Sequence, residues 1–405
     1  MKKINFGLYV IIAIMLAGCS FTENVSNNIN SNVAANSANN LNGDIMNNEN
    51  TKQLTYKMKA VQLYIKIKEL YGVNEQSLFL EHYPLKADDR AVSFLWPFSG
   101  MLSAVNALGV LPEMKDMYDN ELEEIVKGLE KYSDDLRQPP AYQSYPFEFG
   151  GDDRFYDDNM WIGLDFLAAY KLTGDSLYLE KCQNIFSFIK SGWSEELGGG
   201  IFWCEQKKDT KNTCSNGPAS VLALELYKAT GDEDFFEWGL KIYDWTRRNL
   251  KSPENVYWDH IKLDGTTDRA TFAYNTGTML HSAVLLYQLT SKESYLEEAQ
   301  SLAKASLSHF APERANGKRF FPDENPWFTV ILFRGYQALY DVDKNSEYID
   351  AVISNADYAW EHARDGNGLI SRDWSGESQE DRDARWLLDE ACMAELYARA
   401  ALLKE

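Results

Sequence analysis

The chain is predicted to be all-α, an (α/α)6 toroid of helical hairpins, on three observations. A turn recurs as Leu172-Thr173-Gly174-Asp175, Ala229-Thr230-Gly231-Asp232 and Leu289-Thr290-Ser291-Lys292, with its threonines 57 and 60 residues apart. Before each turn lies a segment that is apolar nearly all round, at 161–172, 218–229 and 279–289, and the same character returns at 329–340 and 392–402. After each turn comes an amphipathic segment, such as 176–190 with Tyr178, Leu179, Cys182, Ile185, Phe186 and Ile189 on one face. A helix that is apolar on every side must be buried on every side, whereas an amphipathic one can face water, so the first helices form an inner layer and the second an outer one.

The N-terminus precedes this pattern. Lys2 and Lys3 are followed by an apolar run over 6–17, too short to cross a bilayer, and then by Leu16-Ala17-Gly18-Cys19. Residues 1–19 are expected to be a lipoprotein signal peptide whose Cys19 carries the lipid; an ordinary secretory signal is the alternative. Either way the protein is expected to be exported. Residues 20–53 are mostly Asn and Ser and cannot bury enough apolar surface to offset their ordering entropy, which predicts a disordered tether. Residues 54–405 contain no further linker and are read as one domain, expected to be a monomer.

Within that domain each hairpin has the same logic. The glycine of the turn can adopt the left-handed conformation that closes a helix, and the following Asp serves the start of the next. About six units are counted, the earliest containing 54–72 and 98–132 and a weaker copy running through Tyr348, Ile349, Val352 and Tyr358. Six such hairpins favour closure into a ring over an open helical superhelix.

The formal net charge of −21 excludes nucleic acid as a partner, and it disfavours polyanionic glycans, leaving a neutral substrate. No Cys or His spacing suggests a metal, and no cofactor is expected. Cys204 and Cys214 flank one loop and are a candidate disulfide, while Cys182 and Cys392 read as buried thiols.

In a closed ring the parallel inner helices bring their N-terminal ends to one face. The residues there are Trp96-Pro97-Phe98-Ser99, Tyr156-Asp157-Asp158-Asn159, Lys211-Asn212-Thr213-Cys214-Ser215-Asn216, Phe272 to Gly277, Asn325-Pro326-Trp327 and Trp386 to Glu390. A lone Asn or Asp at such a position is ordinarily a helix cap. Capping does not account for the tryptophans and tyrosines beside them, which suit a cleft where amides and carboxylates bind sugar hydroxyls and rings stack on sugars. Glycoside hydrolysis requires two carboxyl groups, about 5 Å apart for retention and about 6.5–9.5 Å apart for inversion. Consecutive Asp157 and Asp158 suit the shorter separation. The helix N-terminus favours an anionic nucleophile, and its like-charged neighbour should titrate higher, as a general acid. Asp152-Asp153 is the other candidate pair, read as a loop in which Arg154 can pair one carboxylate; Asp259 and Asp389 are further cleft candidates.

These motifs resemble glycoside hydrolase family 76. The resemblance runs through Tyr142-Gln143-Ser144-Tyr145, Gly150-Gly151, Tyr156 to Trp161, Gly198 to Trp203, Lys211 to Asn216 and Tyr274 to Thr278, and covers most of 54–405. It implies an (α/α)6 fold and, for bacterial members, retaining endo-α-1,6-mannanases that need no metal; fungal relatives act as transglycosylases. Carried onto this chain, it implies Asp157 as nucleophile and Asp158 as acid/base. Met160 stands where many members carry a small residue such as Ala. The expected substrate contacts are Asn159, Asn212, Asn216, Tyr274 and Asn275, with Trp161, Trp203 and Trp258 as stacking platforms. The expected partner is α-mannan, with the membrane reached only through the lipid. The rival readings are a non-catalytic glycan-binding lipoprotein and another (α/α)6 enzyme, such as an unsaturated glucuronyl hydrolase or a sugar epimerase.

Overall fold

A computed structural model describes residues 54–73, 76–314, 318–321, 325–377 and 384–405. The expected signal peptide, lipid site Cys19 and tether lie outside the described residues. Twelve α-helices are found among the described residues: α1 (Tyr56–Tyr71), α2 (Leu95–Gly109), α3 (Lys115–Leu129), α4 (Tyr156–Thr173), α5 (Ser176–Ser191), α6 (Thr213–Thr230), α7 (Glu233–Leu250), α8 (Ala273–Thr290), α9 (Glu293–Phe310), α10 (Pro326–Asp343), α11 (Glu347–His362) and α12 (Leu387–Lys404). They form an (α/α)6 toroid. The even-numbered helices are the inner ring, packed α2 on α4, α4 on α6, α6 on α8, α8 on α10, α10 on α12 and α12 back on α2.

The Thr-Gly-Asp turns work through all three residues. Thr173 and Thr230 donate their hydroxyls to the carbonyls of Ala169 and Leu226, and the same oxygens accept from the next Asp N–H. Gly174 and Gly231 are left-handed (φ 73° and 72°), and Asp175 and Asp232 cap the outer helices. Ser291 and Lys344 take the left-handed position in the next two turns, at φ 56° and 59°. The inner helices approach closely where glycine permits. A Cβ on Gly277 of α8 would lie 2.5 Å from Leu332 Cα of α10, so the two backbones touch there.

The first helix corrects the expected hairpin order. α1 does not open a first hairpin. It is an outer helix packed on α12, the last inner one, so the sixth pair is made from both ends of the chain. The seam is knitted by Tyr71 Oη donating to Arg385 O (3.0 Å), Leu387 N to Glu81 O (3.0 Å), and antiparallel pairing of strand His82–Tyr83 with strand Arg385–Trp386. Lys59, itself buried, adds an ion pair to part-buried Asp357 on α11 (2.7 Å).

Two expected substrate ligands are structural. The fourth residue of each of four inner helices holds a backbone N–H of the segment leading into that helix. Asn159 accepts from Tyr142 N (2.8 Å), Asn216 from Ile201 N (2.8 Å), Thr276 from Tyr257 N (3.1 Å) and Glu390 from Ile370 N (3.0 Å). Asn159 and Asn216 also donate to the carbonyls of Tyr142 and Ile201, closing a two-way clamp, and both are fully buried. With both amide N–H bonds used and neither residue in the cleft lining, these side chains fasten loop to helix. The candidate Cys204–Cys214 disulfide is likewise not formed. All four cysteines among the described residues are buried and free, with Cys204 paired through its backbone to Phe155 and Cys214 at the start of α6.

Replacing Asn216 by Ala strands the Ile201 N–H and carbonyl in the interior, and chemical denaturation should show a loss of about 2–4 kcal/mol. Adding a reductant should leave the thermal midpoint of the wild-type domain unchanged; a fall would reveal a disulfide.

Candidate active site

The N-terminal ends of all six inner helices contribute to one cleft of about 660 Å³, through Trp96 and Pro97, Asp157, Asp158 and Trp161, Cys214, Tyr274, Trp327 and, at the cap of α12, Trp386. Its floor is a tryptophan cluster. Trp327 meets Trp161 edge-on at 4.7 Å and Trp96 at 5.3 Å, and Trp96 meets Trp386 at 5.2 Å. Tyr274 stacks on Phe328 at 4.5 Å. Edge-to-face packing of this kind holds several large rings rigidly without leaving voids.

The start of α4 is anchored from below. Arg154, fully buried, donates to both oxygens of Glu205 (2.8 and 2.5 Å) and to the carbonyl of Pro139 (3.0 Å). It does not pair Asp152 or Asp153 as expected; those carboxylates meet Arg90 (3.3 Å) and Lys207 (3.0 Å) in the cleft wall. Tyr156 N donates to Trp203 O (3.0 Å), which ties the helix start to the Trp203 segment.

Asp157 and Asp158, both half-buried, then project into the cleft from the first turn of α4. Asp157 accepts from the Trp203 indole N–H (3.0 Å) and from the Asp158 backbone N–H (3.1 Å). Burial pushes its carboxyl up to about 6, against hydrogen bonds from the Cys214 thiol and Trp203 that favour the anion. Asp158 has no such donors. Burial and the adjacent Asp157 charge hold it well above the usual carboxylate range. Within the pair Asp157 ionises first and Asp158 holds its proton to higher pH, the division that acid/base chemistry requires.

Of the other expected contacts, Trp161, Trp203, Asn212 and Tyr274 line the cleft. Trp203 is 39% exposed, whereas Trp161, at 5%, belongs to the floor. Asn212 is 8% exposed, and its side-chain oxygen, buried behind the cleft wall, accepts no hydrogen bond from the described residues. Trp258 does not line the cleft; its ring lies under the Arg269 guanidinium at 5.2 Å. Asn275 is fully buried and away from the lining, and Asp389 is buried outside it as well. Asp259 does line it, hydrogen-bonded to His260 Nδ1 (2.8 Å).

Sequence reading missed Glu81, Phe94, Lys207, Asp209 and His260, which also line the cleft. Glu81 accepts from Trp386 Nε1 (2.6 Å) and Phe94 N (2.8 Å), so it holds part of the aromatic floor. These residues sit in connecting segments, where no periodicity places a side chain; the run Lys207-Lys208-Asp209 preceding the Asn212 motif was the one available signal.

The sequence profile of glycosyl hydrolase family 76 matches residues 26–405, beginning within the segment read as a tether. A family 76 glycoside hydrolase (mannosidase), Bt3792 from Bacteroides thetaiotaomicron, is 27% identical, with a TM-score of 0.80 covering 86% of this chain and 98% of that one. GH76A, an α-1,6-mannanase of Salegentibacter sp., superposes with a TM-score of 0.73 at 26% identity over 86% of this chain and 100% of its own. That structure is an inactive variant with two consecutive aspartates replaced by asparagine, in complex with α-1,6-mannotriose. The mannan endo-1,6-alpha-mannosidase DCW1 of Candida glabrata is 28% identical over 145 residues, 33% of this chain and 32% of that protein. The chain spans between 32% and 54% of the length of the curated relatives it matches. With a profile match over nearly its whole length and the site described above, the chain belongs to glycoside hydrolase family 76.

Proposed function

We propose that the protein is a retaining endo-α-1,6-mannanase that hydrolyses the backbone of α-mannan by double displacement. The observation that carries the reading is the consecutive Asp157-Asp158 pair, with one carboxyl disposed to be anionic and the other protonated in one aromatic cleft. The inactive Salegentibacter variant supports it, since two consecutive aspartates are altered there and an α-1,6-mannotriose is bound.

In the first step the Asp157 carboxylate attacks the anomeric carbon, forming a glycosyl ester as the glycosidic bond breaks, and Asp158 delivers its proton to the departing oxygen. In the second, Asp158, now ionised, takes a proton from water, and the resulting hydroxide displaces Asp157 to release a sugar of the original configuration. The donors on Asp157, from Trp203 and the backbone of Asp158, stabilise the carboxylate that leaves. Trp203 supplies an exposed ring for the sugars, and Asn212 lines the cleft beside it. The cleft carries Asp152, Asp153, Asp209 and Asp259 around the pair, a field that disfavours anionic glycans and suits a neutral one.

Chromatography of products from linear α-1,6-mannan should give a ladder of short oligosaccharides, with the α-anomer formed first. Asp157→Asn should reduce turnover to background while binding persists; unaltered turnover would overturn the reading. Asp158→Asn should lower kcat by about 10²–10⁴-fold. The profile of kcat/KM against pH should be a bell. Its acid limb falls below about pH 6, as Asp157 gains a proton, and its alkaline limb marks the loss of the Asp158 proton.

Export and lipid anchoring through Cys19, with a monomeric catalytic domain, complete the proposal. Labelled palmitate should enter the wild type and be absent from Cys19→Ser; equal labelling of both would refute the anchor.

A further inference from the structure

Lys211 is a fully buried lysine one residue before cleft-lining Asn212. Its ammonium donates to three backbone carbonyls, those of Ser194 (2.9 Å), Glu196 (2.6 Å) and Gly199 (2.6 Å). An ammonium has three N–H bonds, so its donors are matched one for one. The stem lies against Phe202 and Trp245, with the charge 5.0 and 5.9 Å from their rings. Its acidic neighbours Glu195 and Glu196 make no ion pair with it among the described residues, and Glu195 pairs Lys241 (3.6 Å) instead.

The segment it grips is closed by Ser194 N to Gly200 O (3.1 Å) and Gly198 N to Glu195 O (3.0 Å), with the Trp245 indole on Leu197 O (3.1 Å), and Lys211 takes three of its other carbonyls. Leu197, Gly198, Gly199 and Gly200 are four consecutive residues at positive φ (60°, 71°, 126° and 96°), a strained path that no regular helix or strand continues. The backbone leaves this loop directly into Ile201-Phe202-Trp203, where Trp203 N reaches Thr210 O (3.2 Å) and the Trp203 indole reaches Asp157 (3.0 Å). A buried charge is costly, and here the hydrogen bonds that satisfy it all come from backbone carbonyls. Hydrophobic packing would serve if the loop needed mere filling.

We propose that Lys211 is a positioning residue for Asp157: its ammonium fixes the loop over 194–200, the loop fixes Trp203, and the Trp203 indole orients and stabilises the Asp157 carboxylate. This rests on the reading of Asp157 as nucleophile. Burial lowers the Lys211 ammonium to about 8, opposed by Glu196 and Glu195. Above that pH the neutral amine has two N–H bonds for three carbonyls, and one grip on the loop is released. The titratable groups around Asp157 are Asp158 on α4, Cys214 on α6 and Tyr274 on α8, and Asp259 on the strand Trp258–Lys262 faces the last two. Lys211 acts on none of these directly.

The test compares Trp203→Phe, Lys211→Met and the double variant on α-1,6-mannan. Each single change should lower kcat/KM about tenfold and move the acid limb up by about one pH unit, because both remove support for the Asp157 anion. The double variant should be no worse than Trp203→Phe alone. Additive losses, or a Lys211→Met loss with the acid limb unmoved, would overturn the proposal. Should Lys211→Met fail to fold, acrylamide quenching of Trp203 in the wild type, taken as the difference from Trp203→Phe, should rise through about pH 8. Quenching that stays flat there would also overturn it. This last measurement needs no turnover, so absence of mannan cleavage would refute the proposed function while leaving the Lys211–Trp203 coupling separately judged.

Discussion

A helix with no polar face has nowhere to rest except among other helices, and this chain contains several of them. The ring is the solution that buries all six, and the polar groups it encloses are paired, as Ser103 is to Asp165 (2.6 Å) and Arg334 to Glu395 (2.7 Å). Outer helices can afford charge because they cover one side only. The seam between α12 and α1 is the place where closure could have failed, and it is fastened by Tyr71, Glu81 and Lys59. An open superhelix would leave an inner face of α2 and of α12 in water.

Closure has a chemical consequence at one end of the ring. Six helix N-termini point the same way, each with backbone N–H groups that need acceptors and a dipole that favours negative charge. At four of them the fourth residue is spent on fastening the incoming segment. At α4 the second and third residues are the two aspartates, exposed to the cleft while Asn159, the residue after them, is locked to Tyr142. The same turn of helix thus carries both the aspartate pair and the clamp beside it. The tryptophan floor closes the axis beneath the pair, so the carboxyls are half-buried and their proton affinities separate.

The inner and outer helices were legible because burial writes a period into the sequence, and the Thr-Gly-Asp turns were legible because each residue in them has a local task. Asp157 and Asp158 stood out because adjacent acids among aromatics are a poor structural choice. The asparagines were a different matter. Asn159, Asn212, Asn216 and Asn275 look alike in sequence, each near the start of an apolar helix, yet one lines the cleft, two are clamps and one is buried away from the lining. Which role an amide takes depends on the direction it leaves the helix, and on whether a backbone strand passes within reach. Trp258 and Trp203 diverge for the same reason: each precedes an inner helix, but one turns to Arg269 and the other to Asp157.

Local composition alone therefore decided the layers, the number of hairpins, the face on which the cleft opens and the pair of acids within it. These follow from burial and capping, which act over a few turns of helix. The tertiary structure decided the rest. It joined α1 to α12, left Cys204 and Cys214 unbonded, gave Arg154 to Glu205, and brought Glu81, Lys207 and His260 to the cleft from segments with no period. Those outcomes depend on contacts between residues far apart in the chain, whose distance and direction are set only once the ring has closed.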